Sequence, residues 1–124
     1  IRTMIEDAMA KRPTKLDWGA GEFWPFVYVT DIVTATAAAL DAPKTPQYAY
    51  NVAGPDMPAV QRIAELVYDF FPNADIELGS NPRHDKRGRF DLSAAARDLI
   101  WTPEWDIERG VSAYIDWFLK QGRA

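Results

Sequence analysis

The feature that most constrains the fold of this chain is an alternation of short apolar runs with helical patterns. Runs of β-branched and aromatic residues predict strands at 26–29, 49–52 and 76–79. Helical spacing or capping residues mark the other segments: 3–11, 30–42, 60–71, 91–100, and from Asp106 onward. Strands that alternate with helices predict an α/β fold.

Residues 60–71 carry the clearest helical pattern, because their apolar positions recur at the spacing of one helix face. In the helix predicted from Thr30, Asp31 places a negative charge in the first turn, where it favours the helix dipole. We expect this helix-end role, and no ligand, for Asp31.

Length and charge narrow the class of protein. The chain has 124 residues, enough for one domain over 1–124. Fourteen Lys and Arg residues against eighteen Asp and Glu residues give a net charge of −4, the wrong sign for a nucleic-acid-binding protein. There is no cysteine, and His84 is the single histidine, so we expect no metal site. His84 lies among basic residues in the sequence, and we expect it at the protein surface.

The first residues and the short apolar runs predict that this chain is a cytoplasmic piece of a longer protein. No apolar run has the length of a membrane span, and the first residues lack the pattern of a signal peptide. The chain begins at Ile1 and not at Met, and three short strands provide too little sheet for its helices. We therefore expect that a part of the sheet is contributed from elsewhere.

Three segments in order carry a family resemblance. The segments 21–31 (GEFWPFVYVTD), 50–54 (YNVAG) and 91–103 (DLSAAARDLIWTP) resemble motifs in the C-terminal part of the extended short-chain dehydrogenases/reductases, the NAD-dependent epimerases and dehydratases of sugar nucleotides. The resemblance implies that residues 1–124 form the C-terminal, substrate-binding lobe of such an enzyme, without its Rossmann cofactor domain. In the family, the strand that carries Tyr-Asn joins the edge of the cofactor domain's sheet.

Two hallmarks of the family are absent from the sequence. No Gly-x-x-Gly-x-x-Gly turn follows a strand, and no tyrosine is followed four residues later by the lysine that assists proton transfer in the family. We therefore assign no catalytic and no cofactor-binding residue, and we expect the isolated chain to be inactive. NAD or NADP is expected for the parent protein, and the missing Rossmann domain is expected as a partner.

The substrate prediction rests on where the first motif departs from the family. Trp24-Pro25 stands where several relatives have the Arg-Asp pair whose arginine holds a diphosphate, and a tryptophan cannot replace that guanidinium. Arg83 matches a second diphosphate-binding arginine approximately. We predict Arg83, Trp24 and Phe23 as substrate-binding residues, for a sugar nucleotide or a substrate without diphosphate, such as a sugar acid.

Two functional classes stay open from the sequence. The first is the substrate-binding part of an NAD(P)-dependent epimerase, dehydratase or dehydrogenase. The second is a self-standing α/β binding or assembly module without catalytic activity. In the first class, apolar surface made for the cofactor domain is left uncovered, so we expect the chain to form a homo-oligomer.

Overall fold

A computed structural model of the protein describes residues 1–81 and 88–121. In chain order its elements are α1 (Arg2–Met9), β1 (Thr14–Gly19), α2 (Val29–Asp41), α3 (Val60–Phe70), β2 (Ile76–Gly79), α4 (Ser93–Leu99) and α5 (Ile107–Lys120). Helices combined with a small parallel sheet confirm the predicted α/β class. The contacts divide the described residues into two units.

The first unit contains residues 1–24, 58–81 and 108–121. Its sheet consists of β1 and β2, which run parallel, with Thr14 opposite Ile76 and Leu16 opposite Leu78. Parallel neighbours require a long crossover connection, and α3 lies within it. Ile5, Val67 and Ile115 are completely buried, so α1, α3 and α5 each contribute an apolar side to this unit.

The second unit contains residues 25–57 and 88–107. Its core is a cluster formed by Ala35 of α2, Ala95 and Leu99 of α4, and Trp101. Small alanine side chains on α2 allow it to lie close to α4. The unit is therefore held together by a helix pair and an adjacent tryptophan, without a strand ladder of its own among the described residues.

Helix α2 exposes its large apolar residues. Asp31 and Ala35 are buried, whereas Val29, Val33 and Leu40 are 60%, 61% and 81% exposed. The three exposed residues are separated by four and seven positions, which places them on one side of the helix. We call this side, with Ile32, the apolar face of α2.

Two of the strand predictions are wrong. Residues 26–28 and 49–52 do not form strands, and Val29 instead begins α2. The N–H of Gly54, two residues beyond the second segment, donates to the carbonyl of Phe26 in the first at 2.6 Å. A strand exists only beside a partner, and the described residues supply none here. The composition of these segments predicted strand propensity correctly but could not predict a neighbour.

Other sequence predictions were closer to the structure. The strand at 76–79 and the helix from 60 are confirmed, and the other helices differ by only a few residues at their ends. Strand β1 has no counterpart among the strands predicted from the sequence. Charged Lys15 and Asp17 alternate with Leu16 and Trp18, and the glycines that follow conceal this short period-two signal.

Ile100 ends α4 in a left-handed conformation. Its φ and ψ angles are 52° and 39°, and its side chain is largely exposed. For a β-branched residue this conformation is strained, because Cβ approaches the following carbonyl oxygen. The turn therefore holds Ile100 at a cost in stability.

Replacing Ile100 with glycine should stabilise the protein. We expect Ile100→Gly to raise the free energy of unfolding by about 1 kcal/mol, because glycine adopts positive φ without strain. Urea denaturation measures this change. Ala37→Gly, at an exposed position inside α2, is the control of opposite sign and should lower stability by about 1 kcal/mol. A loss of stability in Ile100→Gly would contradict this account of the turn.

Candidate functional site

The carboxyl ends of β1 and β2 come together in the first unit. Gly19 and Gly79 are paired in the register, and a Cβ atom on Gly79 would lie 2.4 Å from the carbonyl oxygen of Asp17. Only glycine permits this approach. In α/β proteins, ligands bind beside the carboxyl ends of parallel strands, so this end of the sheet is the candidate site.

A tight turn follows β1 at this end. Gly19 and Gly21 have φ angles of 106° and 74°, and the N–H of Glu22 donates to the carbonyl of Gly19 at 3.2 Å. The turn returns the chain toward the start of α3, where Phe23 pairs with Ala59 in an antiparallel bridge. The turn therefore leaves residues 22–24 beside the end of β1.

Two tryptophans meet beside this turn. The ring centroids of Trp18 and Trp24 are 5.4 Å apart, with 39° between the ring planes. The Nε1–H of Trp24 donates to Oε2 of Glu22 at 3.0 Å. Both rings are half-buried. We call Trp18 and Trp24 the indole pair, which presents aromatic surface with a carboxylate beside it.

The three predicted substrate-binding residues have different positions. Trp24 lies in the indole pair, as described above. Side chains alternate along an extended segment, which turns Phe23 to the opposite side from Glu22 and Trp24, and Phe23 is 58% exposed. Arg83 lies outside the described residues, as does His84. The structure thus brings Trp24 together with Trp18 and does not add Phe23 to that pair.

Asp31 does more than the predicted helix-end role. Its side chain is 2% exposed, and its two carboxylate oxygens accept the backbone N–H groups of Glu104 and Trp105, each at 3.1 Å. The ring of Trp105 stacks on Tyr28, just before α2, with a centroid distance of 4.3 Å. Asp31 therefore joins the first family motif to the segment that follows the third.

The second and third motifs also contact each other. The hydroxyl of Tyr50 donates to Oδ2 of Asp98 at 3.3 Å, and Nδ2 of Asn51 donates to the carbonyl of Asp91 at 3.1 Å. Hydrogen bonding to the Arg97 guanidinium, at 2.7 Å, lowers the pKa of Asp98. The residues that carry the family resemblance in this unit therefore bind one another.

Strand β1 is not followed by the pyrophosphate cradle of a dinucleotide-binding fold. A pyrophosphate cradle needs a glycine-rich turn that leads from a strand directly into a helix N-terminus. Here β1 ends at Gly19, and the next helix, α2, begins at Val29.

The described residues contain no group of three metal-ligating side chains. No helix in the described ranges is long and apolar enough to cross a membrane.

Comparison with known proteins confirms the family resemblance. The chain is similar to extended short-chain dehydrogenases/reductases and matches their C-terminal portion. No protein-family model matches the chain. The chain spans 37–39% of the length of the curated relatives it matches.

The particular relatives act on nucleotide-linked sugars. The chain is 25% identical to dTDP-glucose 4,6-dehydratase of Xanthomonas campestris over 131 residues, and this match covers 96% of the chain and 37% of the enzyme. The fold of the chain resembles that of UDP-glucuronic acid 4-epimerase of Bacillus cereus in complex with UDP-glucuronic acid and NAD. The TM-score is 0.82, the identity is 21%, and the match covers 95% of the chain and 38% of the epimerase.

A third relative is ADP-L-glycero-D-manno-heptose-6-epimerase of Helicobacter pylori. The TM-score is 0.79, the identity is 24%, and the match covers 94% of the chain and 36% of the epimerase.

Sequence reasoning missed two features of this site. The hydrogen bond from Trp24 to Glu22 was not predicted, although their spacing of two residues in an extended segment is the signal that could have found it. The tether at Asp31 was not predicted either, because its donors are backbone groups more than 70 positions away. Backbone N–H groups carry no sequence signature.

Removing one acceptor from the Asp31 tether should destabilise the chain. Asp31→Asn retains one carbonyl oxygen and turns an amide N–H₂ group toward the second backbone donor. We expect the free energy of unfolding to fall by about 2 kcal/mol, because a buried donor loses its partner. Urea denaturation tests this, with the exposed Asp41→Asn at the other end of α2 as the matched control. Equal stability of both variants would contradict the tether.

Proposed function

We propose that this chain is the substrate-binding part of an NAD(P)-dependent epimerase, dehydratase or dehydrogenase that acts on a sugar nucleotide or a related sugar-like substrate. The observation that carries the proposal is the extent of the similarity, which covers 96% of the chain in relatives that are dehydratases of a nucleotide-linked sugar. Structures with the same fold contain NAD, either alone or together with UDP-glucuronic acid.

In this proposal a cofactor-binding domain of the same polypeptide supplies the redox chemistry. The apolar face of α2 supports this division, because Val33 and Leu40 have no role in the core of their own unit. The segments at 26–28 and 49–52 support it too, since they have strand-forming composition without a strand partner among the described residues. The cofactor-binding domain would provide that partner and cover that face.

The residues proposed to hold the substrate are Trp24, Phe23 and Arg83. Trp24 and Phe23 lie at the carboxyl ends of the parallel strands, where ligands bind in this class of fold. Arg83 follows β2 in the sequence, and a guanidinium suits an anionic group of the substrate. The proposal assigns no catalytic residue to this chain, so the isolated chain is expected to be inactive.

Calorimetry tests the proposal directly. We expect the chain to bind UDP-glucuronic acid or dTDP-glucose and not to bind NAD tightly, since the phosphate cradle is missing from the sequence. Arg83→Ala should weaken binding by about 1.5–3 kcal/mol, the range of a charge-assisted hydrogen bond, while folding stays unchanged. Lys86→Ala is the matched control. Equal small losses at both positions would remove Arg83 from the site, and micromolar NAD binding would show that the cofactor assignment is wrong.

Self-association separates this proposal from a self-standing module. We expect the chain to form a species larger than 14.0 kDa at roughly 100 µM, because a second copy covers the apolar face of α2 in the absence of the cofactor-binding domain. Light scattering gives the mass. Val33→Lys combined with Leu40→Lys should restore the monomer, whereas Tyr48→Lys, at an exposed position outside α2, should not. A stable monomer that binds no dye for apolar surface would favour the self-standing module.

A further inference from the structure

Strand β2 has one edge without a neighbouring strand. Within the described residues the sheet contains only β1 and β2, so β1 covers one edge of β2. At this paired edge the carbonyl of Asp75 accepts the N–H of Thr14 at 2.8 Å. Because backbone groups alternate in direction along a strand, those of Ile76 and Leu78 point to the other edge. We call this other edge the free edge of β2.

The hydroxyl group of Tyr68 lies against the free edge. It accepts the N–H of Ile76 and donates to the carbonyl of the same residue, in both cases at 3.2 Å. A neighbouring strand would offer these two groups a carbonyl and an N–H, so the hydroxyl takes the place of a strand's backbone. Tyr68 belongs to α3 and follows Val67, which is completely buried. The packing of α3 therefore holds the hydroxyl in this position.

The space beside the free edge is open to solvent. A groove of about 310 Å³ lies between α3 and β2, and it is lined by Gln61, Ala64, Glu65, Tyr68, Ile76 and Leu78. Gln61 and Glu65, on the α3 side of this groove, are exposed. A strand edge with unpaired N–H and carbonyl groups in such a place is a template for pairing with another chain.

Tyr68 removes a large part of that template. Strand β2 has four residues, of which only Ile76 and Leu78 direct their backbone groups to the free edge. The hydroxyl satisfies both groups of Ile76, so a second strand would find the groups of Leu78 alone. One residue is too short a stretch to hold two strands in register.

We propose that Tyr68 closes the free edge of β2 to strand pairing with a second copy of this chain. Two copies that paired along the same edge would place β2 antiparallel to β2 about a two-fold axis. The Tyr68 hydroxyl occupies the position at which the backbone of the second copy would bind Ile76. Neither substrate nor cofactor takes part in this role of Tyr68, which is therefore independent of the proposed function.

Tyr68→Phe tests the role of the hydroxyl, because it keeps the ring and removes only the oxygen. At low protein concentration we expect the amide of Ile76 to exchange its hydrogen about fivefold faster than in the unmodified chain, within the range of one hydrogen bond. Tyr114→Phe is the matched control, because the Tyr114 ring packs on Trp117 and Phe118 of α5. It should leave the exchange of Ile76 unchanged.

Association is measured in a background that carries Val33→Lys and Leu40→Lys, so that the apolar face of α2 does not contribute. Adding Tyr68→Phe to this background should raise the mass toward that of a dimer between about 10 µM and about 1 mM, an increase that the background alone does not show. Light scattering gives the mass. The amide of Ile76 should become protected again at the higher concentration, because a second copy supplies its partner.

Ile76→Pro separates strand pairing from association through another surface. Proline has no N–H, and proline on an edge strand blocks pairing. Adding Ile76→Pro to Tyr68→Phe should therefore return the mass to that of the background. A larger species that persists in this variant would show that the chains associate elsewhere, and the proposal would be wrong.

Hydrogen exchange can also overturn the proposal without any substitution. In the unmodified chain at low concentration, an Ile76 amide that exchanges as fast as in an unfolded peptide would show that the Tyr68 hydroxyl does not satisfy it. The proposal fails as well if Tyr68→Phe leaves this exchange unchanged, or if it speeds the exchange while the mass stays that of the background. Urea midpoints show that each variant is folded.

Discussion

The close approach of β2 to β1 at Gly79 is the constraint on which the candidate site depends. The two strand ends meet because Gly79 has no side chain to collide with the carbonyl of Asp17. Their meeting fixes where the turn at Gly19 begins, and so where Trp18 and Trp24 lie. A side chain at position 79 would separate the strands at the place where the site is formed. The parallel pairing of β1 with β2 and the geometry of the candidate site thus depend on the same backbone contact, between Gly79 and Asp17.

The parts of the fold that sequence could predict are those fixed by local patterns. The apolar period of α3 and the strand at 76–79 are properties of a few adjacent residues, and both were predicted. The segments 26–28 and 49–52 were predicted as strands because propensity describes a residue and not its neighbours. The pairing that makes a strand is a long-range property. A single sequence does not contain it.

The site shows the same division between local and long-range information. Trp24 is predicted as a substrate-binding residue from its place in a family motif, whereas its contact with Trp18 is not predicted by the motif. The family motifs themselves have a structural meaning that the spacing alone did not reveal. Tyr50 binds Asp98, Asn51 binds the backbone of Asp91, and Asp31 binds the backbone of residues 104 and 105. In the second unit the motifs mark contacts that hold the unit together.

The residues of helix α2 fall into two groups, one in the interior of the unit and one on the exposed apolar face. Asp31 and Ala35 lie in the interior of their unit, so changes there act on folding. Val33 and Leu40 lie on the apolar face, where changes leave that interior untouched. Substitutions along this helix therefore act in two different ways, on the stability of the unit or on its exposed apolar surface. Comparison of sequences from related organisms can separate the two, because positions that face the interior and positions on the apolar face would tolerate different substitutions.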